Sequence, residues 1–176
     1  RGLAGNRRRR DVELAAATLR EAQVDAQRSL ARLQELARGI HPAILTDRGL
    51  VEAVEERSSR MPVPVEVETD GVGREARFGA DLEGAGYFFV SEALANVLKY
   101  SSAHAVRIRL RSEAAQLVIE VEDDGRGFEP AAVKLSGLRG LTDRIEALGG
   151  RLEVKSGAGE GTRLRACLPT SENGHG

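Results

Sequence analysis

Five short stretches of the chain alternate apolar and polar residues, which is the pattern of half-buried β-strands. The first, at 62–69, carries two prolines, so we expect a strand at the edge of a sheet. The second and third, at 106–112 and 116–122, are joined by a short link that suits a hairpin. The last two, at 151–156 and 162–169, flank a glycine-rich turn. The pattern therefore predicts a sheet of five strands.

Helical spacing and capping residues predict three helices among these strands. The first begins at Thr46 and Asp47, which are both good capping residues. The second is capped by Asp81 and runs to about Tyr100, and the third ends at Gly149 and the glycine that follows it. Strands and helices together predict the α/β class, as a two-layer α/β sandwich whose helices cover one face of the sheet.

A long helix is predicted before these elements, over residues 11–42. Small and apolar residues recur there at alternating steps of three and four, which is the spacing of a coiled-coil seam. Gly39 and Pro42 end this pattern. Because the seam contains Ser29 and several alanines it is a weak one, and the number of helices that pair along it stays open. Its positions are Val12, Ala15, Leu19, Ala22, Ala26, Ser29, Leu33, Leu36 and Ile40.

Composition narrows the class of protein. The chain has 176 residues, of which 41% are apolar and 30% charged, with a net charge of −1. This balance argues against generic nucleic-acid binding, because no global basic field is present. A single cysteine, Cys167, cannot form an internal disulfide and predicts a reducing, cytoplasmic location, and no apolar run is long enough to predict a membrane span. Since the chain opens with Arg1, we interpret it as a fragment of a longer protein.

Glycines cluster in three stretches after residue 120, namely DDGRGF, SGLRGL and SGAGEGT. Loops of this kind let backbone approach a ligand closely, and their N–H groups bind phosphate oxygens. The third stretch would serve equally well as a hairpin turn, and the Asp-Gly step in the first favours a turn in any protein. The chain contains neither a P-loop nor a Rossmann fingerprint, so a nucleotide site here requires another design.

The helix that starts at Asp81 carries three polar residues on one face, Glu92, Asn96 and Lys99. An amide oxygen is a suitable Mg²⁺ ligand when phosphates and waters complete the shell, which makes Asn96 a candidate. A carboxylate beside it can orient a metal-bound water, and a lysine can neutralise phosphate charge. The alternative is an ordinary solvated face. Four apolar residues are predicted to form the buried face of the same helix: Leu82, Phe89, Ala93 and Val97.

Four motifs over residues 87–168 resemble, in order, those of the ATP-binding domain of sensor histidine kinases, in the superfamily shared with gyrase, MutL and heat-shock chaperone ATPases. SEALANVLKYSSA is similar to the N box, and EDDGRGF to the D-x-G-x-G box. GLRGLTDRIEALGG resembles the second glycine box with its helix, and GEGT the last box. The lead-in RLQELARGIHPAILTDRGLVEAV is similar to the end of the dimerisation region in the subfamily that pairs with NarL-type regulators.

The resemblance implies a role for each matching residue. Asp123 would accept a hydrogen bond from the adenine amino group of ATP, with Gly125 and Gly127 letting the base lie against the backbone. Asn96 would bind Mg²⁺, Glu92 would assist the metal-bound water, and Lys99 would meet phosphate. Six further nucleotide-binding residues belong to the later glycine boxes, the first three in the phosphate-covering lid: Gly137, Leu138, Gly140, Gly159, Gly161 and Thr162.

The family also implies a Bergerat-type fold with a mixed five-stranded sheet. The five arginines of the first ten residues, the seam and the resemblance together divide the chain into four parts. Residues 1–10 would be a basic linker, 11–42 part of a dimerisation helix, 43–169 the catalytic domain and 170–176 a disordered tail. The implied function is transfer of the γ-phosphate of Mg-ATP to a histidine on a dimerisation helix, for relay to a NarL-type response regulator. The implied full-length protein is a homodimer, in which this chain belongs to the cytoplasmic part of a sensor.

Two departures from the family pattern keep other functions open. No phosphoacceptor box is present, since His41 precedes a proline, His104 introduces a strand and His175 lies in the tail. Tyr100 stands where the family commonly has histidine. The alternatives are an anti-sigma-factor-type serine kinase, which the lead-in segment disfavours, and a non-catalytic module for nucleotide binding or dimerisation.

Overall fold

The computed structural model describes residues 43–129 and 136–170, without the side chains of residues 136 and 137. All of them belong to the second of the two units into which the chain divides, Pro42–Gly176. The expectations for the basic linker, for the long helix over 11–42 and for nearly all of the tail lie outside the described residues.

Three α-helices and five strands make up the described part of the chain, which confirms the α/β class. The helices are α1 (Ala43–Ser59), α2 (Ala80–Asn96) and α3 (Ser136–Ala147). A π-helical turn, Val97–Ser101, continues α2. The strands are β1 (Val65–Asp70), β2 (Val106–Glu113), β3 (Gln116–Asp123), β4 (Arg151–Ser156) and β5 (Thr162–Pro169). No helix among these residues is long and apolar enough to cross a membrane.

The strands form one mixed sheet in the order β1-β2-β3-β5-β4. β1 pairs parallel to β2 at one edge, as its prolines predicted, and every other pairing is antiparallel. Ala114 and Ala115 form the two-residue turn between β2 and β3 with φ of 43° and 61°. Both angles are left-handed, as the tightest hairpin turns require. The predicted hairpin is therefore confirmed, and its register fixes which side chains of β2 and β3 share a face.

The hydrophobic core lies between one face of the sheet and the helices. Alternate residues of β2 and β3, including Ile108 and Ile119, are fully buried there. The predicted inner face of α2 is confirmed, since Leu82, Phe89, Ala93 and Val97 are all buried. α2 approaches β3 closely because Gly86 has no side chain, and a Cβ at that position would lie 2.8 Å from Cδ1 of Ile119. This close packing holds the C-terminal end of α2 next to the end of the central strand.

The other face of the sheet carries alternating acidic and basic residues. Arg109 on β2 contacts Glu68 at 2.8 Å and Glu120 at 2.8 Å, on the strands to either side. Arg163 on β5 contacts Glu122 at 2.8 Å, and this hydrogen bond lowers the pKa of the Glu122 carboxyl. Exposed ion pairs contribute little stability individually. Their placement opposite one another nevertheless favours the observed register over a shifted one.

Two predicted helix starts are wrong. The first helix begins at Ala43 instead of Thr46 or Asp47, and its backbone breaks at Gly49, where φ is 83°. The second is not capped by Asp81, because Gly79 occupies the N-cap position without a side-chain hydrogen bond and Asp81 lies in the first turn. In the first turn an acidic residue still interacts favourably with the helix dipole. Capping residues alone therefore located these ends only to within a few positions.

A buried carboxylate near the start of α2, paired with a half-exposed arginine, was not predicted. The carboxylate of Glu83 is fully buried and accepts hydrogen bonds from Arg77 Nε at 2.8 Å and from the backbone N–H of Phe78 at 3.0 Å. The same arginine side chain lies against the break in α1, since a Cβ at Gly49 would lie 3.2 Å from Cδ of Arg77. Glu83 thus fixes the segment before α2 onto both helices.

Candidate nucleotide-binding site

The centre of the candidate site is Asp123, the last residue of β3. Its carboxylate is only 8% exposed, and Oδ1 accepts a hydrogen bond from the backbone N–H of Gly125 at 2.9 Å. Burial raises the pKa of Asp123, and the nearby charges of Asp124 and Glu122 raise it further, against the opposing effect of the Gly125 hydrogen bond. A poorly solvated carboxylate forms stronger hydrogen bonds with a ligand donor than one in water.

Asp124 has a different surrounding although it is the next residue. It is exposed, and its Oδ1 accepts hydrogen bonds from the backbone N–H groups of His104 at 2.7 Å and Ala105 at 3.0 Å. These two bonds lower the pKa of Asp124. Asp123 and Asp124 therefore have different roles. Asp123 faces the cleft, whereas Asp124 joins the end of β3 to the segment that enters β2.

Three glycines around Asp123 are required by contacts within the chain. A Cβ at Gly125 would lie 2.4 Å from the carbonyl oxygen of Ser101. A Cβ at Gly127 would lie 2.0 Å from the carbonyl oxygen of Gly157, and one at Gly161 would lie 2.0 Å from that of Asp123. Gly127 and Gly161 also have positive φ, of 59° and 73°. The structure thus gives these glycines a packing role, and a contact of Gly125 and Gly127 with the base stays a prediction.

The end of helix α2 is attached to the same loop. The backbone N–H of Arg126 donates to the carbonyl oxygen of Ser101 at 2.8 Å. The hydroxyl of Ser101 donates to the carbonyl oxygen of Val97 at 2.9 Å and accepts from the N–H of Ala103 at 3.1 Å. The π-helical turn is therefore fixed between α2 and the loop that follows Asp123. Asn96 precedes Ser101 by five residues, which is roughly 7 Å along a helix axis.

The strand register brings a second predicted residue beside Asp123. Asp123 pairs with Thr162 across β3 and β5, and Thr162 pairs with Ser156 across β5 and β4. Directly opposed residues point to the same face of a sheet, so the three side chains form a row at its end. A cleft of about 370 Å³ opens there, lined by residues that include Asp123, Ser156, Gly161 and Thr162. Gly159 contributes its N–H, which donates to the carbonyl oxygen of Arg126 at 2.7 Å.

The three polar residues predicted on α2 lie at its C-terminal end. Glu92 and Asn96 are half-buried one turn apart, and Lys99 is exposed in the π-helical turn. Their side chains form no hydrogen bond or ion pair with the part of the chain that the structure describes. They are not among the residues that line the 370 Å³ cleft. The structure therefore places them at the end of α2 that abuts the Asp123 loop, and their contact with a ligand stays a prediction.

The donor set at Asn96 fits Mg²⁺ only if a nucleotide is bound too. Within residues 43–129 and 136–170, no group of three or more His, Cys, Asp and Glu side chains could hold a metal. An amide oxygen at Asn96 with a carboxylate at Glu92 supplies one or two oxygen ligands, and phosphate oxygens and waters are the usual remainder for Mg²⁺. These residues would hold the metal against the phosphates rather than in a site of their own.

The second glycine box lies in helix α3 rather than in a loop. Gly137 and Gly140 are both within its first turns, and a Cβ at Gly140 would meet no atom within 4 Å. Leu138 is 8% exposed and belongs to the hydrophobic core, so its described contacts are those of packing. The lid role of these three residues stays a prediction. The third box is different, because its loop returns onto Arg126 and Asp123.

Ser156 was missed by the sequence analysis, although it has more polar contacts than any residue predicted there. Its hydroxyl oxygen lies 2.8 Å from the backbone nitrogen of Phe128, 2.9 Å from the carbonyl oxygen of Gly161 and 3.1 Å from Oγ1 of Thr162. The signal was the alternation of β4, which places residues 152, 154 and 156 on one face. Its position just before the glycine-rich loop then indicates a residue at the end of the sheet.

Comparison with known proteins gives one family and several relatives. Residues 87–172 match the family described as histidine kinase-, DNA gyrase B-, and HSP90-like ATPase. An uncharacterized sensor-like histidine kinase of Chloroflexus aurantiacus is 28% identical over 173 residues, covering 91% of this chain and 29% of that protein. Sensor histidine kinase LiaS of Bacillus subtilis is 32% identical over 134 residues, covering 74% of this chain and 37% of that protein.

A solved structure has the same fold. The blue-light activated histidine kinase EL346 of Erythrobacter litoralis is 28% identical and superimposes with a TM-score of 0.50, covering 70% of this chain and 40% of that one. The present chain thus spans between 29% and 37% of the length of the two curated relatives described above. None of these comparisons singles out the subfamily that pairs with NarL-type regulators.

Proposed function

We propose that this chain supplies the ATP-binding catalytic domain of a sensor histidine kinase, on the premise that its residues 87–172 match the histidine kinase-, DNA gyrase B-, and HSP90-like ATPase family. The observation that carries the proposal is the row formed by Asp123 and Thr162 at the end of the sheet, with the end of α2 attached beside it. A buried acceptor next to a helix whose amide, carboxylate and ammonium groups have no partner among the described residues suits a ligand with a base at one end and phosphates at the other.

The proposed reaction transfers the γ-phosphoryl group of ATP to a histidine nitrogen on a separate dimerisation helix. The unprotonated nitrogen of the neutral imidazole forms a bond to the γ-phosphorus as the bond between that phosphorus and the bridging oxygen breaks, ADP leaves, and the proton on the other ring nitrogen passes to a base or to water. Bound Mg²⁺ would neutralise charge on the phosphate oxygens. Asn96 would hold the metal, Glu92 would orient a water bound to it, and Lys99 would meet a phosphate oxygen.

The most specific part of the proposal is the response regulator that receives the phosphate from the histidine. The lead-in at residues 32–54 resembles the segment found in kinases that pair with NarL-type regulators, so we propose an aspartate of such a regulator as the next phosphate acceptor. A homodimer formed through the upstream helix would bring the histidine and the ATP-binding domain together. The names of the Chloroflexus and Bacillus relatives support a sensor kinase as the context of this domain.

Phosphate transfer to a separate helix is directly measurable. The chain is incubated with γ-labelled ATP and Mg²⁺, first alone and then with a helical fragment that carries the phosphoacceptor box of a related kinase. We expect acid-labile label on the fragment only, because phosphohistidine is unstable in acid. Acid-stable label would support a serine kinase instead, and bound ATP with no label on the fragment would support the non-catalytic module. Asn96→Ala serves as the control that should lose transfer, since it removes the proposed metal ligand.

The pH dependence of ATP binding should report on Asp123. The ionised carboxylate is the form that accepts the ligand's N–H, so affinity is full above the pKa of Asp123 in the folded protein and falls as pH decreases through it. Because burial raises this pKa, the fall should begin at higher pH than for an ordinary aspartate, whose pKa is about 3.9. Isothermal titration calorimetry across this range is the measurement.

Asp123→Asn is the control for that titration. ATP itself is protonated to the same extent in both experiments, but the variant has no carboxyl to titrate at position 123. The stability of the unligated protein should depend on pH in the opposite direction from the ATP affinity, rising as pH falls. A carboxyl with a raised pKa favours the folded state below its unfolded pKa, and this contribution is lost as pH rises through the folded pKa. An affinity profile that is the same for both proteins would remove Asp123 from the binding site.

A further inference from the structure

The residue that carries this inference is Ser156, the last residue of β4. It is half-buried and lies in the row with Thr162 and Asp123. Its hydroxyl joins three parts of the site, because it contacts the N–H of Phe128 in the first glycine loop, the carbonyl oxygen of Gly161 in the third and the hydroxyl of Thr162. None of these contacts involves a ligand directly.

The direction of each hydrogen bond follows from the number of hydrogens and lone pairs that each group has. A serine hydroxyl has one hydrogen and two acceptor lone pairs. The N–H of Phe128 occupies one lone pair, and the carbonyl oxygen of Gly161 can only accept, so it takes the hydroxyl hydrogen of Ser156. The remaining lone pair then accepts the hydrogen of the Thr162 hydroxyl at 3.1 Å. This assignment satisfies all three partners, whereas reversing the last bond leaves the carbonyl oxygen of Gly161 without its donor.

The assignment bears on Asp123 because Thr162 is its cross-strand partner. Opposed side chains on adjacent strands have Cβ atoms roughly 5 Å apart, and a carboxylate is a stronger acceptor than a hydroxyl. Thr162 nevertheless bonds Ser156, and the hydrogen bond that Asp123 accepts comes from Gly125. The Thr162 hydrogen is thus bound by Ser156, and among the described residues the second carboxylate oxygen of Asp123 accepts no hydrogen bond.

We propose that Ser156 is a positioning residue for nucleobase recognition: it fixes the Thr162 hydroxyl as its own donor and so keeps the Asp123 carboxylate available to an N–H group of the base. The proposal deepens the proposed function and rests on it, since it assumes that the cleft binds a purine with an exocyclic amino group. Without Ser156, the Thr162 hydroxyl is free to turn to Asp123 and compete with that amino group.

A double-mutant cycle tests this competition. ATP affinity is measured by calorimetry for the parent chain, Ser156→Ala, Thr162→Val and the double variant. We expect Ser156→Ala to weaken binding roughly three- to tenfold in the parent background, about the effect of one hydrogen bond. In the Thr162→Val background the same change should have almost no effect, because no hydroxyl remains to compete.

A purely structural role for Ser156 gives a different result. Loss of its bonds to Phe128 and Gly161 would weaken binding equally in both backgrounds, and such additivity would overturn the proposal. Thermal unfolding of each variant shows whether the fold is kept. If Ser156→Ala does not fold, Ser156→Cys replaces it, because a thiol of similar size is a weak partner in hydrogen bonds. A parent chain that binds no ATP would instead contradict the proposed function itself.

Discussion

Asp123→Asn is expected to weaken ATP binding by roughly ten- to a hundredfold, because a hydrogen bond to a charged group contributes about 1.5–3 kcal/mol. One carboxylate oxygen of Asp123 already accepts from Gly125, and the adenine amino group of the proposed ligand would donate to the other. Asparagine has a single acceptor oxygen. If that oxygen keeps the Gly125 bond, the side-chain amide presents N–H groups to an amino group that also donates, and the reverse orientation loses the Gly125 bond.

The unligated Asp123→Asn protein should be at least as stable as the parent. Burial of the carboxylate disfavours its charged form, as the raised pKa indicates, and the substitution removes that charge. Asp124→Asn is the matched control, since the same change one residue later affects an exposed side chain bonded to the segment before β2. Calorimetric titration and differential scanning calorimetry of both variants decide the matter. Equal losses of affinity would mean that the loop, and not the Asp123 carboxylate, determines binding.

Gly161→Ala should abolish ATP binding and lower the melting temperature. Its Cβ would lie 2.0 Å from the carbonyl oxygen of Asp123 and 3.1 Å from the carbonyl carbon, and φ is 73°. Neither atom belongs to a side chain that can rotate away, so the end of β3 must move and Asp123 with it. Strain of this kind is among the mechanisms that give large destabilisation.

The matched control for Gly161→Ala is Gly159→Ala in the same loop. Gly159 also has a positive φ, of 81°, but its Cβ would meet no atom within 4 Å. An alanine there carries only the conformational penalty of a left-handed residue, about 1–2 kcal/mol, so most of the binding should remain. Titration of both variants with ATP, together with their melting temperatures, gives the comparison. Similar behaviour of the two would show that φ, and not the contact with Asp123, makes glycine necessary at 161.

The alternation of apolar and polar residues was enough to predict the five strands. Each predicted strand is present, because side chains on a half-buried strand must alternate between core and solvent. Four of the strands agree to within one residue at each end, and the first begins three residues later than predicted. The starts of α1 and α2 were wrong for a related reason. Thr46, Asp47 and Asp81 are residues that often cap helices, but the break at Gly49 and the N-cap at Gly79 depend on how Arg77 and Glu83 pack against both helices.

The residues of the candidate site were predictable individually, but not their relation to one another. Spacing put Glu92 and Asn96 on one helix face, and the family resemblance selected Asp123. The row with Thr162 and Ser156 depends on the pairing of β5 with both β3 and β4, which local sequence does not specify. For the same reason the sequence did not predict the packing contacts of Gly125, Gly127 and Gly161, whose nearest atoms outside their own loop belong to Ser101, Gly157 and Asp123 respectively.

The carbonyl oxygen of Ser101 has a consequence for how base and phosphates are recognised together. It belongs to the turn that continues the helix bearing Asn96, and it accepts the N–H of Arg126 in the loop that carries Asp123. One peptide group thus belongs to both halves of the site. If a nucleotide binds across the proposed site, ordering either half would also order the other. The entropy lost in organising them would then be lost once, and the intact nucleotide would gain a cooperativity that its separate fragments lack.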